Sequence, residues 1–70
     1  MRKNAKLPKA LGKRIQRLRK KNKLTQEQLA ERIHVSRAYM GYIEQGRNTP
    51  SLEVVERIAR SLKIKLSYLF

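Results

Sequence analysis

The chain has 70 residues and a formal net charge of +13, from 18 Lys and Arg against 5 Asp and Glu. It contains no cysteine, which excludes disulfides, thiolate chemistry and zinc sites that depend on Cys. A chain of this length supports one small domain without a deep catalytic cleft, and so strong a positive charge favours a polyanion as its partner.

The positive charge is concentrated at the start of the chain. Residues 1–23 hold eleven of the 18 basic residues and none of the five acidic ones. A surface that is merely kept soluble normally mixes both signs, so this third of the chain is predicted to face the polyanion, with a solvated basic face as the alternative. The sequence has no membrane-length apolar run and no apolar signal-peptide core, and we expect a soluble, cytoplasmic protein.

The first predicted element is a basic amphipathic helix over residues 8–22. Pro8 suits its first turn. Four apolar residues fall on one arc at about 100° per residue: Leu7, Leu11, Ile15 and Leu18. Such a helix can also lie on a membrane surface, but its apolar arc is needed to cover the other helices, so we expect no membrane contact.

Two short helices with local start signals follow. Thr25, with Gln28 three residues later, makes a capping box that opens the second helix. Ser36 is the N-cap candidate for the third helix, residues 36–45, which Gly46 can close in the left-handed conformation. Only residues 34–35 separate the two helices, and this tight connection makes them a helix-turn-helix unit.

The rest of the chain continues the helical pattern. A fourth helix is predicted over residues 51–62, and the segment LSYLF at residues 66–70 supplies a last short one. The sequence therefore predicts an all-α, compact fold of five short helices with no sheet.

The outer face of the third helix carries no acid. Its arc holds Arg37, Ala38, Gly41, Tyr42 and Gln45. A solvated helix face normally pairs Glu with Lys or Arg, whereas a face that lies against DNA needs small residues, donors for base edges and no carboxylate toward phosphate. We therefore expect this helix to enter the major groove, where close approach would offset the roughly 1 kcal/mol that a mid-helix Gly costs relative to Ala.

Glu44 is the acid that the third helix turns inward. A carboxylate near a helix C-terminus opposes the helix dipole and needs a cation. Arg19, at the edge of the first helix's apolar arc, is the candidate partner. We expect a structural ion pair that ties the first helix to the third.

Three segments stand in order along the chain: LRKKNKLTQEQLA at residues 18–30, VSRAYMGYIEQGR at 35–47 and PSLEVVERIARSL at 50–62. In these motifs and their spacing, residues 11–70 resemble the Cro/phage-repressor-like helix-turn-helix domains, the XRE family. The resemblance implies a compact five-helix domain that binds double-stranded operator DNA in a prokaryotic or phage setting, usually as a two-fold dimer on a palindromic site.

The resemblance also implies roles for individual residues. Base contacts are expected from the outer face of the third helix, through Arg37, Ala38, Gly41 and Tyr42. Phosphate contacts are expected from Gln26, Ser36, Tyr39, Arg47, Asn48, Lys20 and Lys21. Simple packing of the two tyrosines, a merely polar loop and an exposed first-turn glutamine are the alternatives.

Some features fall outside the family pattern. Residues 1–7, with Arg2, Lys3 and Lys6, precede the match and are expected to form a flexible basic arm that clamps the duplex or attracts it diffusely; residues 8–70 then form the domain. The family often has Gly at helix ends where this chain has Lys23, His34 and Lys63, and Asn22 could take over at the first of them.

The predicted function is sequence-specific binding of double-stranded DNA by a transcription regulator. A nonspecific basic nucleic-acid binder and an antitoxin-type or targeting interaction module remain alternatives. No nucleophile–base pair, metal cluster or phosphate loop is visible, so we expect no enzyme, no cofactor and no metal, with the lone His34 as a turn residue. A weak homodimer is expected through the last turn, at Leu66, Tyr68 and Phe70, although core packing explains Leu66 equally well.

Overall fold

The computed structural model describes residues 10–70 of the chain. They form four α-helices: α1 (Leu11–Lys21), α2 (Gln26–Ile33), α3 (Arg37–Glu44) and α4 (Leu52–Ser61). A 3₁₀ turn (Leu66–Leu69) follows, and residues 10–70 contain no strand. The expected arm and the predicted start of the first helix at Pro8 lie outside the described residues.

The prediction of five helices is wrong, because the last element is a single 3₁₀ turn. Its backbone bonds span three residues, from Tyr68 N to Lys65 O at 2.9 Å and from Phe70 N to Ser67 O at 3.2 Å. No side chain caps its start. A four-residue segment without a cap is too short to close successive four-residue helical bonds, so the tighter turn forms instead.

All four helices bury their apolar faces in one core. Its members are Leu11, Ile15, Leu29, Ala30, Ile33, Met40, Ile43, Val55, Ile58, Ala59, Leu62 and Leu69. α2 packs against α3 and α4, while α1 packs against α3 and the 3₁₀ turn. The apolar arc of α1 is thus covered by the protein itself, as the sequence predicts. None of the described helices combines the length and the apolar character that crossing a bilayer requires.

The start signals of the second and third helices are confirmed. Thr25 Oγ1 accepts from Gln28 N at 3.0 Å, and Gln28 Oε1 accepts from Thr25 N at 2.8 Å, which completes the capping box. Ser36 Oγ accepts from Tyr39 N at 3.0 Å, and Ser51 caps α4 in the same way. Because each cap satisfies an otherwise unpaired N–H, worth about 1 kcal/mol, these side chains fix where the helices begin.

All four helices end with the same backbone geometry. A left-handed residue stands one or two positions after each helix end: Lys23 at φ 60°, His34 at 64°, Gly46 at 77° and Lys63 at 58°. The next N–H then bonds to the carbonyl five residues back, as from Leu24 to Arg19 at 3.1 Å and from Ile64 to Ala59 at 3.0 Å. This is the Schellman arrangement. Asn22, at φ −87°, does not take over at the first end.

The three non-glycine helix ends are held by the residue that follows them. Leu24, Val35 and Ile64 are partly buried and pack against the core. A left-handed residue with a side chain costs roughly 1–2 kcal/mol. The apolar anchor at the next position offsets this strain, which explains why Lys and His can occupy positions where Gly would be relaxed.

Gly12 allows α1 to approach the C-terminal end of α3. A Cβ built on Gly12 would overlap the carbonyl oxygen of Ile43 and lie 2.7 Å from that of Glu44. Both neighbours are backbone atoms, so they cannot move aside as a side chain could. The close contact brings Arg19, two turns further along α1, within reach of α3.

Candidate nucleic-acid interface

The outer face of α3 is open to solvent. Arg37 and Ala38 are exposed, Gly41 is half-buried and Tyr42 is 43% exposed, whereas Met40 and Ile43 on the opposite face are buried in the core. α4 packs against α2 and leaves Arg37, Ala38 and Tyr42 exposed, while the Gln26 side chain of α2 lies beside Gly41. The four residues that the sequence analysis assigns to bases therefore share one accessible surface.

Ser36 and Tyr39 stand at the start of α3. The Ser36 hydroxyl accepts the backbone N–H of Tyr39 and so serves as the helix cap, although its own proton can still be donated. Tyr39 is partly buried and packs against the core. Of the two roles expected for Tyr39, packing is thus the one visible in the described structure.

The loop after α3 extends the same surface. Arg47 N donates to Tyr42 O at 2.9 Å, which folds the loop back over the end of α3. The Arg47 guanidinium carbon lies 5.9 Å from the centroid of the Tyr42 ring, within the range of a cation–π contact. Tyr42, Arg47 and Asn48 together line a shallow cleft. Tyr42 and the loop therefore form one continuous surface, and the Arg47 guanidinium places a positive charge at its edge.

The Arg19–Glu44 pair lies beneath this surface. Arg19 Nε is 2.7 Å from Glu44 Oε2 and Arg19 Nη2 is 3.1 Å from Glu44 Oε1, so the pair is bidentate. Arg19 and Glu44 are only 6% and 5% exposed. The remaining nitrogen, Nη1, donates to Leu24 O at 2.7 Å. Arg19 thereby joins α1, the loop after it and α3, a structural role.

Gln26, the first residue of α2, is half-buried and tied to α3. Its Nε2 donates to Glu44 Oε1 at 3.0 Å. Its amide also lies beside Gly41, where an added Cβ would stand 3.6 Å from Gln26 Oε1. This contact cannot be predicted from the sequence, because helical periodicity orders residues within one helix and carries no information on which side chains meet between helices.

The outer side of α1 is basic. Lys13, Arg17, Lys20 and Lys21 are exposed, and α1 contains no acid. The ion pairs among residues 10–70 are Arg19–Glu44 and an i,i+4 pair within α4, so these four side chains neutralise no described carboxylate. Their charge is available to an external anion.

The remaining predicted residues fall in two places. Arg2, Lys3 and Lys6 lie outside the described residues. In the 3₁₀ turn, Leu66 packs partly against the core, whereas Tyr68 is 65% exposed and Phe70 is also exposed. The exposed apolar surface at this end of the chain therefore comes mainly from the two aromatic rings and not from Leu66. His34 is exposed at the end of α2, and residues 10–70 contain no group of three potential metal ligands.

Comparison with known proteins matches residues 10–65 to the model of a helix-turn-helix domain. The immunity repressor protein of Bacillus phage phi105 is 47% identical over 57 residues, which cover 81% of this chain and 40% of the repressor. The chain thus spans less than half the length of that relative.

Solved structures give the same result. The restriction-modification controller protein C.AhdI of Aeromonas hydrophila superposes with a TM-score of 0.83 at 35% identity, over 86% of this chain and 91% of the controller. The biofilm regulator SinR of Bacillus subtilis, solved in complex with DNA, superposes at 0.79 and 28% identity, over 84% of this chain and 95% of that one. The chain belongs to the Cro/phage-repressor-like helix-turn-helix family, the XRE family.

Proposed function

We propose that the chain is a sequence-specific DNA-binding transcription regulator that inserts α3 into the major groove. The observation that carries this proposal is the exposed outer face of α3, which has donors, small residues and no carboxylate. Its relatives support it, since one is named as a phage immunity repressor and SinR was solved with DNA.

Base readout is assigned to the outer face of α3. Arg37 stands at the first position of α3 and is exposed, so its guanidinium can form the bidentate bond to guanine that discriminates by about 1–3 kcal/mol. Ala38 suits the methyl group of thymine. Gly41 permits close approach, and Tyr42 stacks on sugar or meets a base edge beside Arg47.

Backbone binding is assigned to the rim of this face. Gln26 and Ser36 lie at the N-terminal ends of α2 and α3, where exposed N–H groups and the helix dipole favour a phosphate. Arg47 and Asn48 form the second anchor, and Lys20, Lys21 and Tyr39 complete the set. Arg2, Lys3 and Lys6 add an arm, and residues 8–70 form the DNA-binding domain.

Two copies are proposed to bind a palindromic operator as a weak dimer. The exposed rings of Tyr68 and Phe70, with the edge of Leu66, supply the contact. So small an apolar surface favours dimers that form mainly on DNA, because adjacent half-sites raise the effective concentration of the second copy.

Selection from a random duplex library at two salt concentrations tests the proposal. A specific regulator enriches, at both salt concentrations, one half-site sequence with defined symmetry and spacing. The exposed basic side of α1 favours a second candidate, a nonspecific nucleic-acid binder, which enriches no sequence at either salt concentration. An interaction module also enriches none, but its binding to duplex DNA is weak even at low salt.

A further inference from the structure

Glu44 lies where three parts of the fold meet. Its Oε2 accepts from Arg19 Nε, while its Oε1 accepts both from Arg19 Nη2 at 3.1 Å and from Gln26 Nε2 at 3.0 Å. One buried carboxylate therefore connects the ion pair in the interior to the side chain at the start of α2.

This contact fixes which way the Gln26 amide points. A carboxylate can only accept, so the amide nitrogen, not the oxygen, must face Glu44. One N–H of Gln26 Nε2 is used in that bond, and the other meets no acceptor among the described residues. Gly41 leaves the amide room, since even an added Cβ would stand at contact distance, 3.6 Å from Oε1.

We propose that Glu44 is a positioning residue for DNA binding. It holds the Gln26 amide in one orientation, so that the second N–H of Nε2 and the N-terminus of α2 meet the same phosphate. This inference rests on the proposed function, in which Gln26 contacts the backbone. Immobilising a glutamine in advance removes an entropic penalty from binding that corresponds to about two- to tenfold in affinity.

Because Glu44 is charged, its substitution by Gln can distinguish a positioning role from a general electrostatic effect on DNA binding. Replacing a carboxylate by an amide raises the positive charge of the protein, and general electrostatics then strengthens DNA binding. If Glu44 acts by positioning Gln26, the same substitution should instead weaken DNA binding. In Glu44→Gln one carboxylate oxygen becomes an NH₂ donor and a single carbonyl oxygen remains for Arg19 Nε, Arg19 Nη2 and Gln26 Nε2, so nothing holds the Gln26 amide in its wild-type orientation.

The experiment is a double-mutant cycle on the selected operator duplex, with Gln26→Ala, Glu44→Gln and both together. Glu56→Gln, at an exposed position of α4, is the matched control because it makes the same change of charge. Affinities are measured at a temperature where circular dichroism shows every variant folded. We expect Gln26→Ala and Glu44→Gln each to bind the duplex about two- to tenfold more weakly than the wild-type protein. The double variant should bind no more weakly than whichever single variant binds more weakly.

Two results would overturn the inference. One is a Glu44→Gln variant that binds as tightly as Glu56→Gln, and the other is a double variant whose losses add. If the wild-type chain bound no duplex at all, the proposed function would fail first and this inference with it, so the two failures are distinguishable.

If Glu44→Gln does not fold, NMR of the wild-type protein decides. The side-chain amide protons of Gln26 should exchange with water several-fold more slowly than those of the exposed Gln45, and the Gln26 signals should shift when DNA is added. Exchange of Gln26 as fast as that of Gln45, or Gln26 signals that DNA leaves in place, would show that the amide is not held for this purpose.

Discussion

Gly12 and Gly41 lie on neighbouring helices and serve opposite purposes. Gly12 is needed by the fold, because any side chain there would meet the backbone carbonyls of Ile43 and Glu44. Gly41 faces outward, and an added Cβ would make only ordinary contacts with the Gln26 amide. The fold therefore has no need of glycine at position 41, which leaves close approach to DNA as its proposed reason.

Alanine at these two glycines should change stability in opposite directions. Gly41→Ala should raise the free energy of unfolding by about 1 kcal/mol, the helix-propensity difference, while weakening DNA binding. Gly12→Ala should lower the free energy of unfolding by about 1–3 kcal/mol, as overpacking does. Thermal unfolding and a binding titration measure both. A Gly41→Ala variant that gains stability and keeps full affinity would contradict close approach.

Arg19 and Glu44 should be costly to separate and milder to remove together. Arg19→Leu leaves the buried Glu44 carboxylate without its cation and should lower the free energy of unfolding by about 3–5 kcal/mol. Arg19→Leu combined with Glu44→Leu should lower it by less, because no buried charge remains. Urea unfolding measures both. An Arg19→Leu variant with an unchanged melting temperature would refute the structural role of the pair.

At the scale of elements, the helix starts were predictable because their signals are local. Thr25 with Gln28, and Ser36, each identify a start within four residues of sequence, and the structure has a cap at both. The helix ends were partly predictable. The left-handed positions follow from the family spacing, but only the packing of Leu24, Val35 and Ile64 explains why a side chain is tolerated there.

Contacts between elements were predictable only where chemistry demanded a partner. A buried acid requires a cation, which pointed from Glu44 to Arg19. No such demand links Gln26 to Glu44 or Gly12 to the carbonyls of α3, since both depend on how α1 and α2 sit against α3. The 3₁₀ turn was mistaken for a helix because its apolar spacing fits both and four residues cannot separate them.

Lys63→Gly should stabilise the end of α4. It relieves a left-handed residue with a side chain, worth roughly 1–2 kcal/mol, but adds freedom to the unfolded chain, so the net gain should be up to about 1 kcal/mol. Lys65→Gly is the matched control, with the same change two residues on at φ −71°. Differential scanning calorimetry should show a higher melting temperature only for Lys63→Gly. Equal changes of the melting temperature in the two variants would contradict backbone strain at Lys63.

The whole molecule separates charge from readout. The basic side of α1 carries four exposed cations and no acid, while the outer face of α3 carries one arginine among small and aromatic residues. On the proposed function, α1, the loop and the arm attract the duplex through phosphates, and α3 selects the sequence.

Salt should therefore weaken binding strongly. With 6–10 phosphate contacts, affinity should fall about 10³- to 10⁵-fold between 50 and 200 mM salt. Lys20→Gln with Lys21→Gln should make the dependence shallower, because each lost contact reduces the logarithmic slope by about 0.9. Fluorescence anisotropy across a salt series measures the slope. A slope that the double substitution leaves unchanged would place α1 away from the DNA.

The most direct test of major-groove entry by α3 replaces single guanines of the selected half-site by 7-deazaguanine, which removes only the N7 acceptor in that groove. Replacing one particular guanine should make the binding free energy of the wild-type protein less favourable by about 1–3 kcal/mol. The Arg37→Ala variant should lose no further affinity when that same guanine is replaced. If no position responds, or if Arg37→Ala responds as the wild type does, α3 does not read the groove through Arg37.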